Sequence, residues 1–265
     1  MYEVPYLLFG SPPIGNIAAK HLQLSDYPPA AVITDTKLTL DEQLDLVQKH
    51  GAGFILVVGY GRILKQELLD SVAGQVLNIH PSLLPLYRGP APVIQAMLDG
   101  VTETGVSLMQ IDAKMDHGPL LAQETYAVNG KESSEELYNI LTYKGVQLFL
   151  ANIESYLDES LILQPQDDTE ATYTHFIEKE DGLLDLEFPA EDLERKIRAF
   201  QGWPGTWIMV DGKRLQIHKV HIANDQLIFD EVQPEGGKRM SFTAFCAGKR
   251  VTPEQLLKQL HASAK

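Results

Sequence analysis

The chain of 265 residues has a single cysteine, Cys246. One thiol closes no internal disulfide and anchors no cysteine-rich metal site, so a reducing, cytoplasmic setting is expected. No stretch approaches the roughly 20 apolar residues that cross a bilayer, so no membrane role is expected. The opening "MYEVPYLLFG" lacks a basic flank and a long apolar run, and reads as no signal peptide. Internal repeats and low-complexity tracts are missing as well. Basic charge is scarce: 22 Lys and Arg stand against 36 Asp and Glu, a formal net charge of −14. Taken whole, that balance opposes nucleic-acid binding. The distribution is uneven, however. Residues 1–189 carry 10 basic and 27 acidic side chains, whereas 190–265 carry 12 and 9, a local balance of +3. A mildly basic segment on an acidic body suits a separate partner surface. What is plentiful is apolar: 44% hydrophobic residues with 22% charged is an ordinary globular balance, enough to core one or two domains.

Strand-like and helix-like segments alternate through the first 160 residues. "YLLFG", "AAVITD", "FILVVGYG", "QVLNIH" and "GVSLMQI" read as strands, and the third, apolar throughout, suits a central parallel strand covered on both faces. "IGNIAAKHLQL", "LDEQLDLVQKHG" and "PVIQAMLDG" read as helices, the last with Pro92 near its start and Gly100 at its end. Ser133 and Glu136 have capping-box spacing and open a long helix to about Leu157. This alternation predicts a doubly wound α/β domain with a mostly parallel sheet over residues 1–163. The texture then turns polar, and 164–184 reads as a linker. "EDLERKIRAF" is a short amphipathic helix. Asp211-Gly212 and Asn224-Asp225 sit between strand-like runs as hairpin turns would. Residues 185–265 are expected to form a second domain, a small OB-like antiparallel barrel with a leading helix.

The chemistry-bearing stretch is "NIHPSLLPLYRGPAP". On an extended strand, residues two apart face the same side, so Asn78 and His80 project together at the carboxyl end of their strand. Open α/β sheets bind ligands beyond the carboxyl ends of their strands. The loop after "GVSLMQI" carries Asp116 and is expected to reach the same crevice. An amide, an imidazole and a carboxylate suit acyl transfer. Asn78 and His80 can donate to an oxyanion, each such donor lowering the barrier by about 2.7–4 kcal/mol. Asp116 can orient the imidazole or accept the proton of an attacking amine. No Ser or Cys nucleophile sits in a sharp-turn motif, so direct transfer is expected rather than a covalent acyl-enzyme. Pro81, Pro85, Pro90 and Pro92 fix φ in the loop that follows. Its carbonyls are expected to face a flat heterocycle, with Leu83 and Leu84 on that ring's faces.

At these residues the chain resembles the folate-dependent formyltransferases. The resemblance rests on Asn78-Ile79-His80, on Ser82-Leu83-Leu84-Pro85 with Arg88-Gly89, and on Asp116-His117-Gly118. It extends to "FGSPP", "VVGYGRIL" and "TGVSLMQIDAKMDHGPLLAQ". The second half, with "TYTHFIEKEDGLLDL", "LERKIRAFQGWPGTW" and "FCAGKR", is similar to the methionyl-tRNA branch of that family. The resemblance implies 10-formyltetrahydrofolate as formyl donor and charged initiator tRNA as acceptor partner. It implies catalytic roles for Asn78, His80 and Asp116. It implies folate contacts from Ser82, Leu83, Leu84 and Pro85, with Tyr60 and Gly61 at the third strand's end. Arg88, Lys213, Arg214, Lys238 and Arg239 are the candidate tRNA-binding residues. No metal and a monomer are expected.

One departure leaves the acceptor open. The tRNA-acting members carry a long basic loop after the second strand, whereas "VITDTKLTLDEQLD" runs directly from strand to helix. The alternative acceptor is another amine, such as a nucleotide-linked amino sugar. A non-catalytic module is disfavoured by the intact Asn78, His80 and Asp116. A nicotinamide site is disfavoured by Pro12 and Pro13, which remove N–H donors where a pyrophosphate would need them.

Overall fold

A computed structural model describes residues 4–263. The chain divides into two compact units. One comprises residues 1–95, 101–129 and 136–175; the other comprises 96–100, 130–135 and 176–265. The stretch read as a linker is therefore split, with its first part belonging to the first unit.

In the first unit β1 (Tyr6–Phe9), α1 (Ile14–Gln23), β2 (Ala31–Ile33), α2 (Leu40–His50), β3 (Phe54–Val57), α3 (Gln66–Ser71) and β4 (Val76–His80) alternate as strand and helix. Next come α4 (Pro92–Leu98), β5 (Glu103–Gln110), β6 (Leu120–Ala127) and α5 (Ser134–Leu157). The local chemistry explains the ends. Thr39 caps α2 in a capping box with Glu42, and Gly51 closes it at φ 57, where a Cβ would be disfavoured. Strand order is β2-β1-β3-β4-β5-β6. The first four strands run parallel. Both faces are covered, so these strands read as continuous apolar runs. Tyr6, Leu8, Phe54, Leu56, Leu77 and Ile79 point into one core with Phe149 and Ile153 of α5. Leu7, Phe9, Ile55, Val57 and Val76 point into the other with Val47 of α2 and Leu68 of α3. Gly145 lets α5 lie close on the sheet: a Cβ there would fall 2.2 Å from Ile79 Cγ2.

The far edge differs from the sequence reading. β5 pairs antiparallel with β4, and β6 antiparallel with β5. The carboxyl end of β5 therefore points away from that of β4. Residues 111–119 must fold back to bring Asp116 to the crevice. Gly118 permits this tight return, since a Cβ there would lie 1.9 Å from the Gln110 carbonyl.

The second unit contains α6 (Ala190–Ala199), β7 (Thr206–Val210), β8 (Lys213–Ala223), β9 (Gln226–Pro234), β10 (Met240–Ser241), α7 (Phe242–Gly248) and α8 (Pro253–Ser263). Its strands form one antiparallel sheet in the order β10-β9-β8-β7. Val210 pairs with Lys213 across Asp211-Gly212, and Ala223 with Gln226 across Asn224-Asp225. All four turn residues have positive φ, from 50 to 74°, as type I′ turns require. The sheet packs Leu215, Ile217, Phe229 and Val232 against Leu193, Ile197, Phe242 and Leu256. Helices α7 and α8 complete this core where the sequence suggested strands alone. Among the described residues no helix is long and apolar enough to cross a membrane.

Candidate functional site

Asn78 and His80 lie on the same side of β4, with Ile79 between them pointing into the α5-side core. Asp116 meets both. Its Oδ1 is 3.5 Å from Asn78 Nδ2, at the long edge of hydrogen-bond reach, and its Oδ2 is 3.8 Å from His80 Nδ1. The Gly89 backbone N–H donates to Oδ2 at 2.8 Å. The imidazole is buried and the carboxylate 18% exposed, so the carboxylate is the more solvent-facing of the two. His80 Nε2 lies 3.0 Å from the Tyr87 carbonyl. A carbonyl only accepts, so Nε2 carries a hydrogen and donates it there. Nδ1 is left as the ring atom that faces Asp116. The three expected groups converge; what differs is that Asp116 arrives on a folded-back hairpin loop rather than from a parallel strand end.

The loop after β4 is held from behind. Ser107 and Gln123 are directly opposed on β5 and β6. Ser107 Oγ donates to the Ser82 carbonyl at 2.6 Å and accepts from the Leu84 N–H at 3.0 Å. Gln123 donates to the Leu84 carbonyl at 2.7 Å. The Leu83 carbonyl accepts from Leu86 N–H, that of Pro85 from Thr172 N–H, and that of Leu86 from the Ser82 hydroxyl. Every carbonyl from Ser82 to Leu86 therefore has a partner within the protein. A ligand meets second lone pairs on a braced loop rather than free acceptors. Leu84 is buried with Met109 and Leu120, and Leu83 sits over Gly105, where a Cβ would lie 2.5 Å from its Cδ2. Leu84 braces the loop from inside, while Leu83 is half-buried and keeps an exposed part.

Two other expectations are corrected by burial. Arg88, a tRNA-binding candidate, is 1% exposed. Its Nε and Nη2 donate to the Gln166 side-chain oxygen at 3.1 and 2.9 Å, Nη2 also to Asp168 at 2.9 Å, and Nη1 to the Tyr173 hydroxyl at 3.1 Å. Burial works against the charged form, but the bonds to Asp168 and Tyr173 outweigh it and hold the guanidinium above its ordinary value. The same contact with Arg88 holds the Asp168 carboxyl below the usual carboxylate range. Arg88 thus faces the 166–173 segment, with no guanidinium edge left for a phosphate. Tyr60 is likewise a core residue: its ring packs edge-on against Phe9 and its hydroxyl donates to the Asp35 carbonyl at 2.9 Å. Gly61, at φ 73, is exposed at the third strand's end.

Gly89 explains the Arg-Gly pair. It has φ 115, and a Cβ would fall 2.7 Å from Thr174 Oγ1 and 2.8 Å from the Thr174 carbonyl. Only glycine fits between that strand-like segment and Asp116. Sequence reasoning missed Gln166, Asp168, Thr172, Ser107 and Gln123. They carry no motif, and the first three fall in polar chain that resembles a linker. In the second unit, Lys213 and Lys238 are exposed. Arg214 stacks on the Trp207 ring at 4.1 Å, and Arg239 pairs with Glu231 at 3.4 Å. Among the described residues no cluster of His, Cys, Asp and Glu is arranged to hold a metal ion.

Comparison with known proteins fits this arrangement. Residues 11–153 match the family described as formyl transferase, and residues 176–227 the family described as formyl transferase, C-terminal domain. The methionyl-tRNA formyltransferase of Geobacter sulfurreducens is 31% identical over 264 residues, covering 91% of this chain and 81% of that protein. The solved methionyl-tRNA formyltransferase from Clostridium thermocellum shares the fold at a TM-score of 0.69 and 20% identity, covering 87% of this chain and 98% of that one. An N-formyltransferase from Helicobacter canadensis, solved in complex with folinic acid and dTDP-3-aminofucose, does so at 0.68 and 18%, covering 90% and 98%. With its catalytic-domain match spanning more than half its length, the chain belongs to the formyl transferase family.

Proposed function

We propose that the protein transfers a formyl group from 10-formyltetrahydrofolate, the donor substrate, to the α-amine of methionine carried by initiator tRNA. The observation that carries the chemistry is the meeting of Asn78 and His80 within 3.8 Å of the Asp116 carboxylate. The acceptor amine attacks the formyl carbon and forms the new C–N bond. The carbonyl oxygen takes up negative charge, which Asn78 Nδ2–H stabilises as a donor, joined by His80 Nδ1 once it holds the proton taken from the amine. The amine's proton passes to Asp116 or His80 and then to the departing N10 as the old C–N bond breaks. No group on the enzyme is acylated. Asn78, His80 and Asp116 are the catalytic residues in this reading. The braced Ser82–Pro85 loop and Gly61 border the donor.

For the acceptor, the supporting observation is 31% identity across both domains to a protein named for methionyl-tRNA. A second reading, a nucleotide-linked amino sugar, draws on the short connection from Ile33 to Leu40, which leaves no room for a long basic loop. Incubation with 10-formyltetrahydrofolate and each acceptor separates the two. Formyl-methionyl-tRNA should accumulate and the amino sugar stay unmodified; the opposite pattern replaces the acceptor.

A further inference from the structure

We propose that Gln166 is a positioning residue for formyl transfer: its amide holds the backbone of the 116–118 turn and thereby fixes the Asp116 carboxylate against His80 and Asn78. The inference rests on the catalytic reading above but not on which amine is the acceptor.

The hydrogen-bond chemistry sets the amide's orientation. A guanidinium only donates, so the Gln166 atom 3.1 and 2.9 Å from Arg88 Nε and Nη2 is its oxygen. Nε2 then faces two main-chain carbonyls, that of Asp116 at 2.9 Å and that of Gly118 at 2.7 Å. Both amide hydrogens are used, one on each carbonyl flanking His117. A carboxylate could satisfy the arginine but would repel the carbonyls; an amine could serve the carbonyls but would repel the arginine. The turn needs such a hold. Asp116 has φ 48, a left-handed conformation that L residues occupy sparingly. A second path reaches the same turn: His117 Nδ1 contacts Asp112 Oδ2 at 2.6 Å and Nε2 contacts Asp168 Oδ2 at 3.2 Å. Asp168 also accepts from Arg88. Segment 166–168 thus clasps the turn twice, once on its backbone and once on the His117 ring. Arg88 anchors both clasps, and its neighbour Gly89 supplies the N–H that meets Asp116 directly. Neither Gln166 nor Arg88 reaches the groups placed around the formyl carbon, so their effect passes through Asp116.

Two variants test this. Gln166→Met keeps length without polarity; Gln166→Glu keeps the acceptor for Arg88 and removes both donors. Each should fold, and each should lower kcat by about 10- to 100-fold, as roughly 1 Å of misplacement can. KM for the formyl donor should stay within about twofold, because the loss falls on the transition state. The pH profile of kcat should also move, which a purely structural residue would not cause. Amide hydrogen exchange across residues 112–118 should quicken about tenfold or more while β4 keeps its wild-type rates. Wild-type kcat and exchange in folded Gln166→Glu would overturn the proposal. If neither variant folds, Asp168→Ala, at an exposed position, should quicken exchange in 112–118 and lower kcat several-fold; wild-type behaviour there would overturn it equally. The exchange measurement needs no acceptor. A wild-type protein inactive on charged initiator tRNA, whose 112–118 turn nonetheless loosens in Gln166→Met, would retract the acceptor and leave this inference standing.

Discussion

In the proposed reaction the contribution of Asp116 is its charge rather than its shape. Its carboxylate receives one backbone N–H from Gly89 and lies beside Asn78 and His80. Asp116→Asn keeps a side-chain oxygen for Gly89 and the same volume, but removes the negative charge beside the imidazole. We expect kcat to fall by about 10²- to 10⁴-fold, the usual contribution of a positioned acid or base. The melting temperature should move little, because the carboxylate is partly exposed and no buried charge is left without a partner. Steady-state kinetics with a thermal melt checks both, and retained kcat would make the carboxylate structural. His80→Ala is a poorer test, since it also removes the hydrogen bond from Nε2 to the Tyr87 carbonyl. Much of this site was legible from residue spacing. Asn78 and His80 had to share a face because strand side chains alternate. The Asp-x-Gly had to be a turn. What spacing could not reveal was burial: Arg88 and Tyr60 have the composition of ligand contacts and the solvent exposure of core residues. Gln166 was invisible because its partners lie 48 and 50 residues away in the chain, and no local pattern encodes that pairing.

At the scale of elements, the same contrast separates short-range from long-range signals. Helix α2 was readable because Thr39, Glu42 and Gly51 each state one end of it locally. The two hairpins of the second unit were readable because Asp-Gly and Asn-Asp accept positive φ. The direction of β5 was not readable: an apolar strand has no local mark of parallel or antiparallel pairing. Helices α7 and α8 were missed because their short apolar runs follow strands and resemble them in composition. The seating of α5 on β4 is another long-range feature, and it bears on the site because Ile79 lies between Asn78 and His80. Gly145→Ala would gain about 1 kcal/mol of helix propensity. It would also place a methyl 2.2 Å from Ile79 Cγ2 and 3.0 Å from Val106 Cγ2. Overpacking of that kind costs about 1–3 kcal/mol, and a clash this short belongs at the upper end. The expected net loss of about 1–2 kcal/mol should lower the melting temperature by roughly 2–8 °C. An unchanged or higher melting temperature would show that the helix can move outward freely.

At the scale of the whole molecule, charge is the remaining signal. With tRNA as the proposed acceptor, a protein of net charge −14 must concentrate its cations, and residues 190–265 are where the balance turns positive. The candidates there are not equivalent. Lys213 and Lys238 are exposed ammonium groups, whereas Arg239 is already paired with Glu231 and Arg214 lies on Trp207. A phosphate contact displaces condensed counterions, and each one adds about 0.9 to the slope of log affinity against log salt on a duplex stem. Replacing both lysines with alanine should therefore flatten the slope for charged initiator tRNA by close to two, and weaken binding most at low salt. Arg239→Ala should change the slope less, because Glu231 already engages its guanidinium. Arg214→Ala removes ring packing as well as charge, so its effect should persist at high salt, where screening has removed the electrostatic part. Filter binding across a salt series, with each variant's fold verified by its melt, separates these outcomes. A slope left intact by the double lysine variant would move the tRNA-facing surface away from the β7–β8 turn and the segment before β10.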